Sequence, residues 1–314
     1  MFNNPSPLQP GGTIGLFAPS GLINVERHDK SVAALESLGF RVVVPPEAFA
    51  QWRYFAGTDD ERLASFHRLL ADPAIDALMM VRGGYGWSRL LNRVDWDLVA
   101  RARKPLVGFS DFTALSLGAL AKANLITFAG PGAAVDFGGI DDAPESQSAH
   151  DYMAAHCWPA LRGEAMSTGA ISCEHSCAEQ TLRGPLWGSN LSLLSDLAGT
   201  PYFPQIEGGL FFVEEIGERP YAVERMFLHL EHAGVLARQK AILLGEFTDC
   251  DPEEGRFPYS MTHVIETLRD RLSIPVLSGF PFGHVAQKLT LPYGAVAELA
   301  ISRHDYTLRW GPLA

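Results

Sequence analysis

Lys104-Pro-Leu-Val-Gly-Phe-Ser-Asp-Phe-Thr113 runs directly into Ala114-Leu-Ser-Leu-Gly-Ala-Leu-Ala-Lys122. Leu106, Val107 and Phe109 form a short apolar run that predicts a buried strand, and Asp111 to Lys122 predicts a helix. Ser110 falls on the turn between them. A serine there can cap the helix with its side-chain oxygen. It can equally be presented as a nucleophile at the carboxyl edge of a parallel sheet. The free N–H groups of the helix start would then stabilise a developing oxyanion. The strand–nucleophile–helix turn of serine hydrolases is written G-x-S-x-G, and Phe112 stands where its second glycine would be, so the pattern is half matched.

Working towards the N-terminus, the same alternation repeats. Thr13 to Ala18 reads as a strand closed by Pro19-Ser-Gly21, Asp29 to Leu38 as a helix closed by Gly39, and Phe40 to Val44 as a second strand. Such a strand–helix–strand unit predicts a right-handed parallel crossover. Thr58-Asp-Asp-Glu61 has the form of a capping box opening a helix. Ala77 to Val81 is a further strand, ending in Arg82-Gly-Gly-Tyr-Gly86. Short helices are expected at Trp87–Leu91 and Asp97–Arg103, and Leu125 to Phe128 is the next strand. The first half is therefore expected to be an α/β domain with a doubly wound parallel sheet of Rossmann or flavodoxin-like type. The glycine loop at 82–86 follows a strand of that sheet, where ligands gather. It can be a tight turn, a phosphate cradle or part of an oxyanion hole, and it fits neither G-x-G-x-x-G nor the P-loop pattern.

From about Asp136 to Leu182 the periodicity fades, with a turn-rich run at Asp141-Asp-Ala-Pro-Glu145. The expected division is residues 1–160 and 161–314. The second half predicts a smaller α+β domain with a barrel-like sheet. Its helices are expected after Asn190, over Tyr221–Ala233 and over Met261–Leu272. Its strands are expected at Gly209–Ile216, Ala241–Phe247, Pro275–Ser278, Leu289–Pro292, Val296–Ile301 and Tyr306–Trp310. Cys173, His175 and Cys177 lack the paired spacing of a structural zinc site, so no metal is expected there.

Composition narrows the function classes. The 314 residues are 47% hydrophobic and 19% charged, with a net charge of −11. This fits a globular protein with a sizeable core and argues against nucleic acid as a partner. No basic segment followed by an apolar run opens the chain, and no apolar stretch reaches the roughly 18 residues that span a bilayer. Four scattered cysteines make no disulfide framework. A cytoplasmic protein with no membrane partner is expected.

If Ser110 is a nucleophile, it needs a base and a group to orient that base. Of the ten histidines, His229 and His232 fall on the polar side of a predicted helix, whereas His284 sits in the loop Gly279-Phe-Pro-Phe-Gly-His284. Loops on a rigid scaffold are where catalytic residues concentrate. Glu214 and Glu215 follow the apolar run Leu210–Val213, where a carboxylate is costly without a partner. They point to opposite faces of a strand, and alternation does not choose between them. The order serine, acid, histidine is that of α/β-hydrolases.

Several further motifs stand in order along the chain: Ala18-Pro-Ser-Gly21, Phe55-Ala-Gly-Thr58, Val81-Arg-Gly-Gly-Tyr-Gly86, Gly108-Phe-Ser-Asp-Phe-Thr113, Gly130-Pro131, Leu186-Trp-Gly-Ser-Asn-Leu191, Val213-Glu-Glu-Ile216 and Gly279-Phe-Pro-Phe-Gly-His284 with Leu291-Pro292. With these the chain resembles, over nearly its whole length, the LD-carboxypeptidase family of serine peptidases. That family includes muramoyltetrapeptide carboxypeptidases and microcin C immunity peptidases. The resemblance implies Ser110 as nucleophile, His284 as base and Glu214 as orienting acid. It implies an oxyanion hole from the N–H groups of Asp111 and of Gly83 or Gly84. It also implies a homodimer, no metal and no cofactor. Phe109 before the serine and Ser189, where relatives carry glycine, depart from the family pattern without removing a catalytic group. The implied reaction releases D-alanine from a murein tetrapeptide, and Arg82 is a candidate for holding the substrate's free carboxylate. The alternatives are an immunity-type peptidase acting on peptidyl- or aminoacyl-nucleotide toxins, and a non-catalytic small-ligand binding protein. A nucleotide-dependent enzyme is disfavoured by the motif mismatch.

Overall fold

In the computed structural model, residues 2–139, 144–173, 175, 178–251 and 258–313 are described. Asp141 to Ala143 and Cys177 lie outside them. The chain makes β1 (Thr13–Phe17), α1 (Val25–Ser37), β2 (Arg41–Val43), α2 (Asp59–Ala71), β3 (Ala77–Met80), α3 (Trp96–Ala102), β4 (Leu106–Gly108), α4 (Phe112–Gly118) and β5 (Thr127–Ala129). There follow α5 (Pro144–Leu161), β6 (Met166–Ser167), β7 (Ile171–Ser172), β8 (Gln180–Asn190), α6 (Leu191–Leu197), β9 (Gly209–Ile216), α7 (Pro220–His232), β10 (Gln239–Thr248), α8 (Met261–Arg271), β11 (Val276–Leu277), β12 (Leu291–Tyr293), β13 (Val296–Ile301) and β14 (Asp305–Trp310).

Two sheets result, so the class is mixed α/β. The first has the order β12-β5-β4-β3-β1-β2. All its neighbours run parallel except β12, which lies antiparallel on β5 with Leu291 opposite Ala129. β1, β3, β4 and β5 are buried along their whole length. That is why they read as continuous apolar runs: a parallel sheet covered on both faces has no polar side to show. Alternate residues go to opposite cores. Leu78 and Met80 join Phe17, Phe66 and Trp87 on one face, while Ala77 and Met79 join Leu35, Phe40, Phe137 and Trp158 on the other.

The second sheet has the order β11-β10-β9-β8-β13-β14-β6. It is open, not the barrel-like sheet expected, because no pairing among the described residues links its two edges. One predicted member is also elsewhere: Leu291–Tyr293 pairs with the first sheet. β8 spans both pairing types. Its first half runs antiparallel to β13 and its second half, Leu186–Asn190, parallel to β9.

The start and stop signals hold where a side chain enforces them. Thr58 and Glu61 close their capping box on α2, with Thr58 N–H on the Glu61 carboxylate at 2.8 Å. α1 starts at Val25 rather than Asp29, because Asn24 caps it by accepting from Arg27 N–H. α5 was not expected. Its buried stripe Ala149, Met153, Cys157 and Leu161 has helical spacing, but two members are small and Pro159 lies inside the helix. Trp87–Leu91 forms only short 3₁₀ turns.

Ser189 sits in β8 at φ 84°, and its buried hydroxyl has no partner among the described residues. A side chain in the left-handed region costs about 1 kcal/mol that glycine does not incur. Ser189→Gly is therefore expected to stabilise the protein by about 1 kcal/mol, read as a higher midpoint in urea unfolding. An unchanged or lower midpoint would count against that strain.

Candidate functional site

Ser110 stands at the carboxyl end of β4 with φ 62°. An L residue enters this region only where the surroundings hold it there. The helix-cap alternative is not realised: α4 begins at Phe112 with no side-chain cap, and Ser110 contributes only its carbonyl, to Thr113 N–H at 2.9 Å. Its hydroxyl instead meets His284 Nε2 at 3.0 Å. His284 Nδ1 lies 2.7 Å from Glu214 Oε2. With the imidazole neutral, Nδ1–H donates to the carboxylate and the serine hydroxyl donates to Nε2. The three groups are brought together from 174 and 70 residues away along the chain.

Each is placed by a different part of the fold. Glu214 ends the buried stretch of β9, a central strand, and its side chain is wholly buried. Glu215 is also buried but turns away, accepting from Ser192 N–H and Ser192 Oγ–H at 2.7 Å each and from Ile216 N–H at 2.9 Å. Burial pushes the Glu215 carboxyl above its ordinary value, and the neighbouring Glu214 adds to that. Neither glutamate pairs with Arg219 or Arg225 among the described residues. His284 comes from the segment that leaves β11 in the second sheet and enters β12 in the first. Thr248 Oγ–H donates to the His284 carbonyl at 3.2 Å, and the Phe109 ring meets the imidazole edge-on with centroids 5.1 Å apart.

Asn190 was quoted in a motif but given no role by sequence. It caps α6 by accepting from Leu193 N–H. Its Nδ2 donates to Glu214 Oε1 at 3.2 Å and to Glu215 Oε1 at 3.1 Å. Its backbone N–H reaches Thr113 Oγ1 at 3.2 Å, on the helix that follows the nucleophile. One residue thus links the acid to the serine's helix. The sequence signal was an asparagine before an apolar helix, which reads as a cap and nothing more.

Of the predicted oxyanion residues, Asp111 follows Ser110 directly and Gly83 lies against it, whereas Gly84 faces Tyr54. The N–H groups of Asp111, Gly83 and Gly84 make no hydrogen bond within the chain among the described residues. The Asp111 carboxyl is buried and ties three loops together. Its Oδ2 accepts from Ser20 Oγ–H at 2.5 Å, after β1, and from Trp87 N–H at 3.0 Å, after the glycine loop. Burial pushes it up to about 6, against the lowering effect of those donors. A Cβ on Gly83 would lie 2.9 Å from Ser110 Cβ and 3.1 Å from its Oγ. Gly83→Ala is therefore expected to displace the loop and cut kcat by roughly 10²–10³-fold, the usual cost of one oxyanion donor. Circular dichroism would stay unchanged, and a fully active Gly83→Ala would remove this loop from the site.

Arg82 is half-buried. Its Nη1–H donates to Leu22 O at 2.9 Å and its Nε–H to Gly83 O at 3.2 Å. It pairs with no carboxylate among the described residues. No group of three His, Cys, Asp or Glu residues that could hold a metal occurs among them, and no helix of theirs is long and apolar enough to cross a membrane.

The arrangement can activate a hydroxyl by general-base proton removal, with N–H donors beside it for an oxyanion. Comparison with known proteins bears on this. Residues 14–130 match the LD-carboxypeptidase N-terminal domain and residues 183–299 the LD-carboxypeptidase C-terminal domain. The chain is 31% identical over 295 residues to a probable murein peptide carboxypeptidase of Bacillus subtilis, covering 94% of this chain and 91% of that one. It is 30% identical over 318 residues to the microcin C7 self-immunity protein MccF of Escherichia coli, covering 92% and 90%. Its fold superposes on the crystal structure of muramoyltetrapeptide carboxypeptidase from Oxalobacter formigenes with a TM-score of 0.85 at 33% identity, covering 95% and 98%. Both halves of the chain are matched in order, and the chain belongs to the LD-carboxypeptidase family.

Proposed function

We propose that this protein is a serine LD-carboxypeptidase that removes the terminal D-alanine from murein tetrapeptides, at the L,D bond after diaminopimelate or lysine, in cell-wall recycling. The observation that carries the reading is the chain Ser110 Oγ, His284 Nε2, His284 Nδ1, Glu214 Oε2, with contacts of 3.0 and 2.7 Å, in a member of this family.

In this reading Ser110 Oγ attacks the carbonyl carbon of the L-centre while its proton passes to His284 Nε2. The negative oxygen that forms is met by the N–H groups of Asp111 and of Gly83 or Gly84. Glu214 holds the imidazole in the tautomer that can accept and stabilises it once charged. As the C–N bond breaks, Nε2 returns the proton to the departing D-alanine amine. Water, deprotonated by His284, then attacks the ester and frees Ser110. Arg82 holds the substrate's free carboxylate with the donors it does not spend on Leu22 and Gly83. The reaction draws only on the chain's own residues, and the protein acts as a cytoplasmic homodimer. It is organised as two domains meeting near residue 160, the first a doubly wound sheet.

A second reading keeps the triad and changes the substrate: an immunity-type peptidase acting on peptidyl- or aminoacyl-nucleotide toxins. The likeness to MccF at 30% identity favours it about as well. Mass spectrometry of L-Ala-γ-D-Glu-meso-diaminopimelate-D-Ala after incubation with the protein and EDTA decides between them. Loss of D-alanine that disappears in Ser110→Ala is the expected result. An intact tetrapeptide together with a hydrolysed aminoacyl-adenylate conjugate would move the assignment to the second reading. Saturable binding without turnover of either would make the protein a binding module.

A further inference from the structure

Besides the partly buried His284, the segment between β11 and β12 carries a buried charged residue. Lys288 is 1% exposed, and its ammonium pairs with Asp136, whose side chain is 6% exposed. Asp136 lies on the π-helical turn Ala133–Phe137 that follows β5, and its other oxygen accepts from Gly132 N–H at 2.7 Å. The ammonium also sits 4.5 Å from the centre of the Phe109 ring. That same ring contacts the His284 imidazole. Phe109 immediately precedes the nucleophile, so it touches the cation and the base while its backbone carries the serine. A cavity beside it is lined by Phe109, Asp136, His284 and Lys288.

A buried ion pair is poor ground for stability, since desolvation offsets most of the attraction. Its position is what gives it meaning. The base must cross from the second sheet to a serine on the first, and it does so on a loop with only a few residues before β12. Among the described residues this is the one ion pair joining that loop to the turns around Ser110.

We infer that the Lys288–Asp136 pair is a positioning clamp: it fixes the 284–290 loop on the turn after β5, keeps His284 in line with Ser110, and as a balanced pair places no net charge beside the imidazole. The inference rests on the catalytic reading of the triad. The charged and titratable groups around His284 are Glu214 on β9, the Ser110 hydroxyl on the turn after β4, and Lys288 with Asp136 across Phe109. Glu246 on β10 is also near, its backbone N–H 2.9 Å from Phe282 O beside Gly283. Glu215 is turned to Ser192.

Opposite signs follow from the two halves of the pair. Without the ammonium, the Asp136 carboxylate favours imidazolium, so protonation of His284 begins at higher pH. Without the carboxylate, the ammonium disfavours imidazolium and protonation moves to lower pH. The test is an NMR titration of the His284 ring, assigned by its loss in His284→Gln, in wild type, Lys288→Met, Asp136→Asn, the double variant and Lys288→Arg. The expected result is a midpoint about 1 pH unit higher in Lys288→Met and about 1 lower in Asp136→Asn, the order that one unpaired charge gives at this kind of range. The double variant and Lys288→Arg should stay close to wild type in midpoint. With tetrapeptide as substrate, kcat should fall roughly 10–100-fold in each single variant with KM little changed, and Lys288→Arg should recover it.

Displacements in the same direction, or none, overturn the inference. If Lys288→Met does not fold, Asp136→Asn and Lys288→Arg still decide it by the same midpoints. The titration needs no substrate. A wild type that leaves the tetrapeptide intact would therefore sink the proposed function while the midpoints still judge the clamp.

Discussion

Replacing Ser110 by alanine is expected to lower kcat/KM on the tetrapeptide by at least about 10⁴-fold, and adding His284→Ala to it is expected to lower the rate no further. The reason is that the two side chains act as one unit. The imidazole has no proton to accept once the hydroxyl, 3.0 Å away, is gone, and the hydroxyl has no base once the ring is gone. The residual rate expected in this mechanism comes from binding and from the N–H groups of Asp111 and the glycine loop. Steady-state kinetics of the two single variants and the double variant are the measurement. Additive losses, or a Ser110→Ala enzyme within tenfold of wild type, would mean that the proton route does not run through this pair. The unfolding midpoint of Ser110→Ala is expected to equal or exceed that of wild type, because alanine removes a polar atom without filling space.

In the proposed mechanism the two adjacent glutamates separate catalysis from architecture. Glu214→Gln is expected to cost about 10⁴-fold in kcat. The amide can no longer hold the ring in the tautomer that leaves Nε2 free to accept, nor balance the imidazolium formed during attack. Glu215→Gln is expected to leave kcat within about tenfold and instead to lower stability by about 1–3 kcal/mol. Its carboxylate receives donors from Ser192, Ile216 and Asn190 that an amide cannot all satisfy. Paired kinetics and urea unfolding on both variants test this. Equal loss of activity in the two would show that Asn190, which donates to both carboxylates, couples them more tightly than their opposite orientations suggest.

Much of this was legible without coordinates because it is local. A strand ending in Gly-Phe-Ser before an apolar helix, a glycine loop after the preceding strand, and a paired carboxylate at the end of an apolar run each follow from short-range pattern. So do the capping box of α2 and the extent of β9, since a cap and a buried strand are decided by neighbours in sequence. α5 was missed for the converse reason. Its buried stripe is thin, with Ala149 and Cys157 among its members, and its burial is decided by Phe40 and Phe137 from other elements.

By itself the sequence determined the parallel first sheet, the loops at its carboxyl edge, and the family with its candidate triad. Tertiary structure decided the rest. Alternation along a strand is symmetric, so it was the family resemblance that singled out Glu214, and the packing of β9 between β8 and β10, with α6 against it, is what turns Glu214 rather than Glu215 to His284. The apolar stretch at Leu291–Tyr293 satisfies an edge in either sheet. Only the docking of β12 on β5 makes the loop before it a bridge that carries His284 to Ser110 and buries Lys288 against Asp136. Periodicity encodes which side chains share a face; which faces meet depends on contacts between residues far apart in the chain.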